Sequence, residues 1–363
     1  MKGWKMKNYI TAGILSCILA VILILPALAV EEEKESSGLH MEENIIAHGN
    51  VNDTVTWKIV EDDSGNHTLI IGGKGPMENY KDRSQMPWLE WKNKIKRLIV
   101  EDGVTRIGDY SMYGLEIREV QIGKDVEAIG KYSFAYGTGL KSIRIPGNVK
   151  RIESDAFVFH YSLCTVVLEE GVEVLEHSSI GSQASGGDVL HIPASLNTFA
   201  DEAVWMASGY TVAEENPYFT AENGVLYNKE KTALIDYPKK MAAMEYRIPD
   251  NISEIKLGAL QRIRATKRIY IPSSVQKMQD SYLFKWADVE EVYVDDGVPL
   301  SCSSTFYSCS KLARIRLPEN IQIDRLNGLV SAGCNSLESI KIPNGVKQII
   351  RIGDSLKALT EII

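Results

Sequence analysis

Cationic charge, histidine pairs and catalytic signatures are all in short supply in this 363-residue chain, and each shortage removes a class of function. Lysine and arginine total 40 against 48 acids, a formal net charge of −8. That balance opposes nonspecific nucleic-acid binding, which draws on positive charge. The six histidines (His40, His48, His67, His160, His177 and His191) form no H-E-x-x-H motif and no i, i+4 pair, so no zinc site is expected. A hydrolase would carry a nucleophile elbow of the form G-x-S-x-G, and the nearest stretch, Gly181 to Gly186, does not match it. The run Gly72-Gly73-Lys74-Gly75 lacks phosphate-loop spacing and reads as a turn. Asp62-Asp63-Ser64-Gly65-Asn66 lacks the distal glutamate and alternate-residue spacing of a calcium loop, and reads as a hairpin turn. No cofactor, no metal and no enzymatic activity are expected.

Hydrophobic residues make up 44% and charged residues 24%, an ordinary globular composition. The N-terminus departs from it. Lys2, Lys5 and Lys7 precede an apolar run from Tyr9 to Leu25, and small residues at the A-x-A positions end at Ala29, before Glu31-Glu32-Glu33. Residues 1–29 therefore read as a secretory signal cut after Ala29. The apolar stretch is also long enough to span a bilayer, so an uncleaved anchor is the alternative. Either reading makes the remainder an exported, secreted or cell-surface chain, and loss of the three leader lysines moves its net charge from −8 to −11. Residues 30–48 read as a linker.

What the chain has in abundance is one repeated phrase. "LKSIRIPGNVKRIESDAF" at 140–157 returns as "LARIRLPENI" at 312–321 and "LESIKIPNGV" at 337–346. Aligned on the second apolar residue, the copies fall at Val100, Ile122, Ile145, Leu168, Ile192, Ile248, Ile271, Val294, Leu317 and Ile342, spaced 22 to 25 apart except for one gap of 56. A period this steady is a solenoid signature. In I-x-I the two apolar residues share one side of a short strand and the residue between them faces the other. Pro146 then removes a backbone donor and ends the strand, while Val149, Ile152, Ala156 and Phe157 bring the chain back inside.

One coil alone offers about six apolar side chains at roughly 1.5–3 kcal/mol each, against roughly 1.5 kcal/mol of ordering cost for every residue. It cannot fold unaided. Stacked coils cover one another's faces and build a parallel sheet along one side. Coils with Glu101, Gly123, Glu169 or Asp295 in place of the proline depart from the pattern, and so does the stretch 321–336, where Asp324 stands at an apolar position.

Two other segments punctuate the array. Val55, Trp57 and Ile59 alternate before the turn at Asp62–Gly65, and Leu69 and Ile71 follow, which predicts a hairpin able to cover the first open face. A second hairpin is predicted from Val225-Leu226-Tyr227, the turn Asn228–Lys231 and Ala233-Leu234-Ile235.

These phrases, with "TVTWKIVEDDSGNHTLIIGGKGPM" at 54–77, Pro87-Trp88, "IVEDGVTRIGDYS" at 99–111 and "ENPYFTAENGVLYNKEKTALIDYP" at 215–238, resemble the BspA-like leucine-rich repeat family of bacterial surface proteins. The resemblance spans roughly residues 49 to 363. It implies a strand-rich, right-handed β/α-type leucine-rich repeat solenoid with a parallel sheet on one face, an N-terminal cap at 49–94, repeats over 95–363 and a hairpin insertion at 213–240. It also implies adhesion, with a host or cell-surface protein or a glycan as partner.

If the middle residue of each strand faces solvent, the displayed column reads Ile99, Gln121, Arg144, Val167, His191, Arg247, Tyr270, Tyr293, Arg316 and Lys341. Arg and Tyr anchor interfaces more often than most side chains, so Arg144, His191, Arg247, Tyr270, Tyr293, Arg316 and Lys341 are the candidate binding residues. A solvated face without a ligand is the plain alternative. A structural spacer that presents another domain is the alternative function, with self-association through an open C-terminal end after "LKALTEII". Of the five cysteines, Cys17 leaves with the leader. Cys309 and Cys334 occupy one repeat position on neighbouring coils, where parallel side chains sit too far apart for a disulfide, so they read as buried thiols. Cys164 and Cys302 stay unassigned.

Overall fold

The computed structural model describes residues 44–184, 186–278, 282–300, 304–319, 325–330, 333–344, 346–352 and 356–363. The leader, Cys302 and Asp324 lie outside the described residues, as does the linker stretch up to residue 43. Across the rest the chain is a strand-rich parallel solenoid. The only helical elements are two 3-10 turns, Arg83–Gln85 and Leu89–Trp91, among the described residues.

Each coil begins with a short rung of a front sheet. In Ser142–Ile145 the exposed and buried positions alternate, and Thr165–Leu168 pairs beside it in parallel, Ile143 against Val166 and Ile145 against Leu168. The fixed residues of the phrase are the core: Leu140, Ile143, Ile145, Val149, Ile152, Ala156 and Phe157 are all buried, as is Ile340 of the last full copy. Aromatic residues at one repeat position stack from coil to coil, Phe134 on Phe157 at 5.0 Å and Phe284 on Phe306 at 5.2 Å, both nearly coplanar.

The return arm is more regular than a single-sheet reading allows. Gly75–Pro76, Val104–Ile107, Ala128–Ile129, Arg151–Ile152, Val174–Leu175 and Thr198–Phe199 pair in sequence as a second parallel sheet. Burial of the i+7 aliphatic, Ile152 in the repeated phrase, fixes two residues there in extended form and lets their amides bond to the next coil.

Between the second sheet and the next front rung the chain turns a corner through left-handed backbone. Tyr110, Tyr132, Tyr136, Asp155, Phe159, Arg262, Tyr282 and Trp286 all have φ between 52° and 62°. Such a conformation costs a non-glycine residue roughly 1–2 kcal/mol. It also aims the amide along the stack. Tyr110 N–H donates to Lys131 O, Tyr136 to Val158 O, Phe159 to Gly181 O, Arg262 to Lys285 O and Trp286 to Tyr307 O, at 2.8 to 3.0 Å. A buried amide left unpaired would cost about 1–3 kcal/mol, so the corner strain is offset by the ladder it permits, and the corner side chains are thrown outward.

The array is closed at its start by a three-stranded antiparallel cap, Ile45–Asn50, Val55–Glu61 and His67–Gly73, whose third strand pairs in parallel with the first rung, Ile95–Val100. The cap thus starts inside the stretch read as linker. Asp62 accepts the amides of Ser64 and Asn66, so its carboxylate serves the hairpin turn. Trp57 packs on Trp88 and Trp91, and Trp88 Nε1–H donates to Ser111 O at 2.9 Å. Gly73, at φ +112°, ends the cap: a Cβ there would meet Thr54 O at 2.2 Å.

The gap of 56 residues holds more than a hairpin. Gly209–Val212 is a further front rung, pairing with Val189–Ile192. A three-stranded antiparallel meander follows, Phe219–Glu222, Val225–Asn228 and Ala233–Asp236, and its last strand joins Glu254–Ile255 in parallel to restart the second sheet. Front rungs resume with Glu245–Arg247, Arg268–Ile271, Glu291–Val294 and Arg314–Arg316. Cys309 and Cys334 are both buried with free thiols, which donate to Phe284 O at 2.8 Å and Phe306 O at 3.3 Å.

Candidate binding surface

Parallel register places the middle residues of successive rungs side by side. Arg247 is opposite Tyr270, Tyr270 opposite Tyr293 and Tyr293 opposite Arg316. The side chains use that proximity. The Arg247 guanidinium lies over the Tyr270 ring, 3.7 Å from its centroid, and Tyr270 stacks on Tyr293 at 4.8 Å with the planes 8° apart. Tyr293 donates its hydroxyl to Glu291, which raises the phenol above its usual range, and Glu291 also faces Arg314 at 3.5 Å. Arg316 extends the ladder, exposed and with no ion-pair partner among the described residues.

The other candidate residues are not stacked into this ladder. Arg144 and His191 lie on front rungs before the meander, Arg144 paired with Glu169 at 2.7 Å and His191 Nδ1 beside Thr211 Oγ1 at 3.1 Å, with the half-exposed Val167 between them. Thr211 is a column position that the repeat spacing misses, because the rung Gly209–Val212 carries no proline and none of the flanking leucines. The one signal was the alternation Tyr210-Thr211-Val212. Lys341 follows the buried Ile340 and pairs with Glu319 at 2.5 Å. The column thus holds isolated charges in its first half and a stacked cation-aromatic ladder in its second.

Ser182, in the stretch nearest a nucleophile elbow, donates to the carbonyls of His160 and Leu163 from a buried position. Among the described residues no three metal-ligating side chains converge, and no helix is long and apolar enough to cross a membrane.

A strand-rich solenoid whose coils repeat an L-x-x-I-x-I phrase, with a displayed front sheet, defines a leucine-rich repeat protein. Residues 89–206 and 239–353 match the BspA type leucine rich repeat region in six copies, and the chain belongs to that family. Among solved structures, a leucine-rich repeat protein from Eubacterium ventriosum aligns with 20% identity and a TM-score of 0.57, over 86% of this chain and 95% of its own. The pneumococcal vaccine antigen PcpA aligns with 17% identity and a TM-score of 0.64, over 87% of each chain. A leucine rich cell surface protein from Faecalibacterium prausnitzii aligns with 19% identity and a TM-score of 0.53, over 87% of this chain and 94% of its own. No curated protein matches the chain. At these identities the likeness establishes the fold.

Proposed function

We propose that this is an exported, noncatalytic surface protein that binds a host or cell-surface protein or glycan through its front sheet, with Arg247, Tyr270, Tyr293 and Arg316 as the centre of contact. The observation that carries this reading is the stacked ladder. Three consecutive rungs hold pre-ordered Arg and Tyr side chains, with Arg316 beside them on the fourth, so little rotamer entropy is lost when a partner settles on them. Arg144, His191 and Lys341 extend the same face as adaptable polar contacts. Export is supported by the basic, apolar and A-x-A pattern of residues 1–29, and by the description of the Faecalibacterium structure as a cell surface protein.

The test is capture of ligands from an array of matrix proteins and glycans by the segment from Glu31 onward. Replacing Arg247, Tyr270, Tyr293 and Arg316 together by Ala should abolish capture while the variant still melts as a folded solenoid. Undiminished capture by the folded quadruple variant would remove the ladder from the binding site.

A further inference from the structure

The solenoid's corner, on the side of each coil away from the front rungs, carries a row of aromatic side chains placed there by the left-handed residues. Tyr110 stacks on Tyr132 at 4.9 Å and contacts Tyr113, Tyr113 contacts Tyr136, Tyr136 contacts Phe159, and Phe159 meets Trp205 edge-on at 5.6 Å. Tyr136 and Tyr161 are exposed at the surface of this row. Where the row reaches the coils that follow the meander the chemistry changes. The Arg262 guanidinium is sandwiched between Trp205, at 3.8 Å, and Trp286, at 4.2 Å, and its Nε donates to Glu202 at 2.9 Å.

Beside this sandwich lies a cavity of about 150 Å³ lined by Ser182, Gln183, Trp205, Lys240, Arg262 and Arg264. Three of the six lining residues are cations in a chain of net charge −8, and none is an acid. Glu202 is engaged by Arg262, and Asp288 is shared between Arg264, at 3.5 Å, and Lys311, at 3.1 Å. Lys240 has no carboxylate partner among the described residues, and burial, followed by the Arg264 charge, holds its ammonium below the usual range. Trp205 is buried, and its indole N–H finds no acceptor among the described residues. An indole nitrogen only donates, and leaving it unpaired costs about 1–3 kcal/mol. Three cations around one cavity, with no acid in its lining, form a site whose missing member is an anion.

We propose that this cavity binds the carboxylate or sulfate group of an acidic saccharide, whose neighbouring sugar rings lie along the aromatic row. The row decides between ligand classes. The faces of Tyr136 and Tyr161 carry the negative side of the ring quadrupole and suit the C–H faces of a sugar. A peptide bound in extended form needs free main-chain groups, and here the amides are already spent: Phe159 on Gly181 O, Gln183 on His160 O, Trp205 on Ile180 O and Arg262 on Lys285 O. The inference stands apart from the front-sheet ladder and does not depend on it.

The experiment is calorimetric titration of the folded chain with five probes: a sialylated trisaccharide, a sulfated tetrasaccharide, neutral lactose, a pentaglutamate peptide and inorganic sulfate, each at low and at physiological salt. One or both acidic saccharides should bind with a Kd below about 1 mM, at least about tenfold tighter than lactose or the peptide. The pair Lys240→Gln and Arg264→Gln should weaken that binding about tenfold or more, and Lys240→Gln alone should show part of the loss if the pair fails to fold. Tyr161→Ala should weaken saccharide binding and leave inorganic sulfate unaffected. Equal binding of pentaglutamate, affinity untouched in the folded variants, or no binding of either acidic saccharide would overturn the proposal.

Discussion

The two blocks on either side of the meander share one repeat phrase and differ in almost everything the phrase leaves open. Their cores are separate hydrophobic clusters that meet in the meander, where Leu226 faces the first and Val225 and Tyr227 face the second. The first block is closed by the tryptophan-rich cap and contains the described histidines, the last of them His191. The second is built around the Phe284–Phe306 stack and two buried thiols, and has no histidine at all. What the difference teaches is that the apolar period makes coils stack within a block, while polar groups join one block to the next. Tyr210 of the first block donates to Asp236 at 2.6 Å; Lys239 Nζ donates to Asp236 at 2.7 Å and to Gly258 O and Ala259 O of the second at 3.0 Å. All three side chains are buried, and Glu202–Arg262 forms a second bridge closer to the surface.

The largest effect should therefore come from the seam. Lys239→Met removes one partner of a buried ion pair and leaves the Asp236 charge uncompensated, a change worth about 3–5 kcal/mol. Because the loss falls between the cores, scanning calorimetry should show one unfolding transition becoming two. A single transition shifted by only a degree or so would mean that the blocks are joined through the Val225–Leu226 strand instead.

Acid should separate the blocks with opposite signs. His160 is buried in the first block, and burial lowers its pKa to about 4. The unfolded chain takes up that proton near pH 6.5, the folded one near 4, so stability is full above 6.5 and is lost as pH falls toward 4, by about 3 kcal/mol. At the seam, burial outweighs Lys239 and raises Asp236 to about 6. A carboxyl with a raised folded pKa is favoured by acid: its contribution is full below the unfolded value near 3.8 and is lost as pH rises through 6. Hydrogen exchange at pH 4.5 against pH 7 should show protection falling around Phe134 and Phe157 and holding at Tyr237 and Ile255. His160→Gln should flatten the first response and leave the second intact.

The period made the coils, the core residues and the front column readable from the chain, because a two-residue alternation and a fixed spacing each survive substitution between them. Pro146, Val149 and Ile152 were legible for the same reason. Other features left no such trace. The second sheet uses only two residues in most coils, too few to alternate visibly. Thr211 sits in a rung stripped of proline and leucine, and Phe219–Glu222 lacks the strand-forming run that marked its partners, so the meander read as a hairpin. The corner site was hidden most completely. Trp205, Lys240 and Arg264 come from separated stretches of the chain, and the left-handed corner conformation falls on Tyr, Phe, Arg and Trp as well as on glycines such as Gly114 and Gly258, so no residue type marks it.

The smallest effects lie on the front face, and they sharpen the contrast between the halves of the column. In the second block Arg247 and Tyr270 are held together by the cation over the ring, an interaction worth about 0.5–1 kcal/mol at an exposed site. A double-mutant cycle of Arg247→Ala with Tyr270→Ala should return a coupling of that size. Salt should change it little, because the contact depends on stacking as well as charge. In the first block Arg144 and Glu169 are an exposed pair at 2.7 Å, both side chains more than a third accessible. Surface pairs of this kind are worth about 0.2–1 kcal/mol and are screened within a Debye length of about 8 Å. The cycle of Arg144→Ala with Glu169→Ala should therefore give a smaller coupling that vanishes in about 1 M salt, where the Debye length falls to about 3 Å. Equal couplings with equal salt dependence would mean that the ladder is no more ordered than the rest of the face, and the second half of the column would lose its claim to be the pre-formed part.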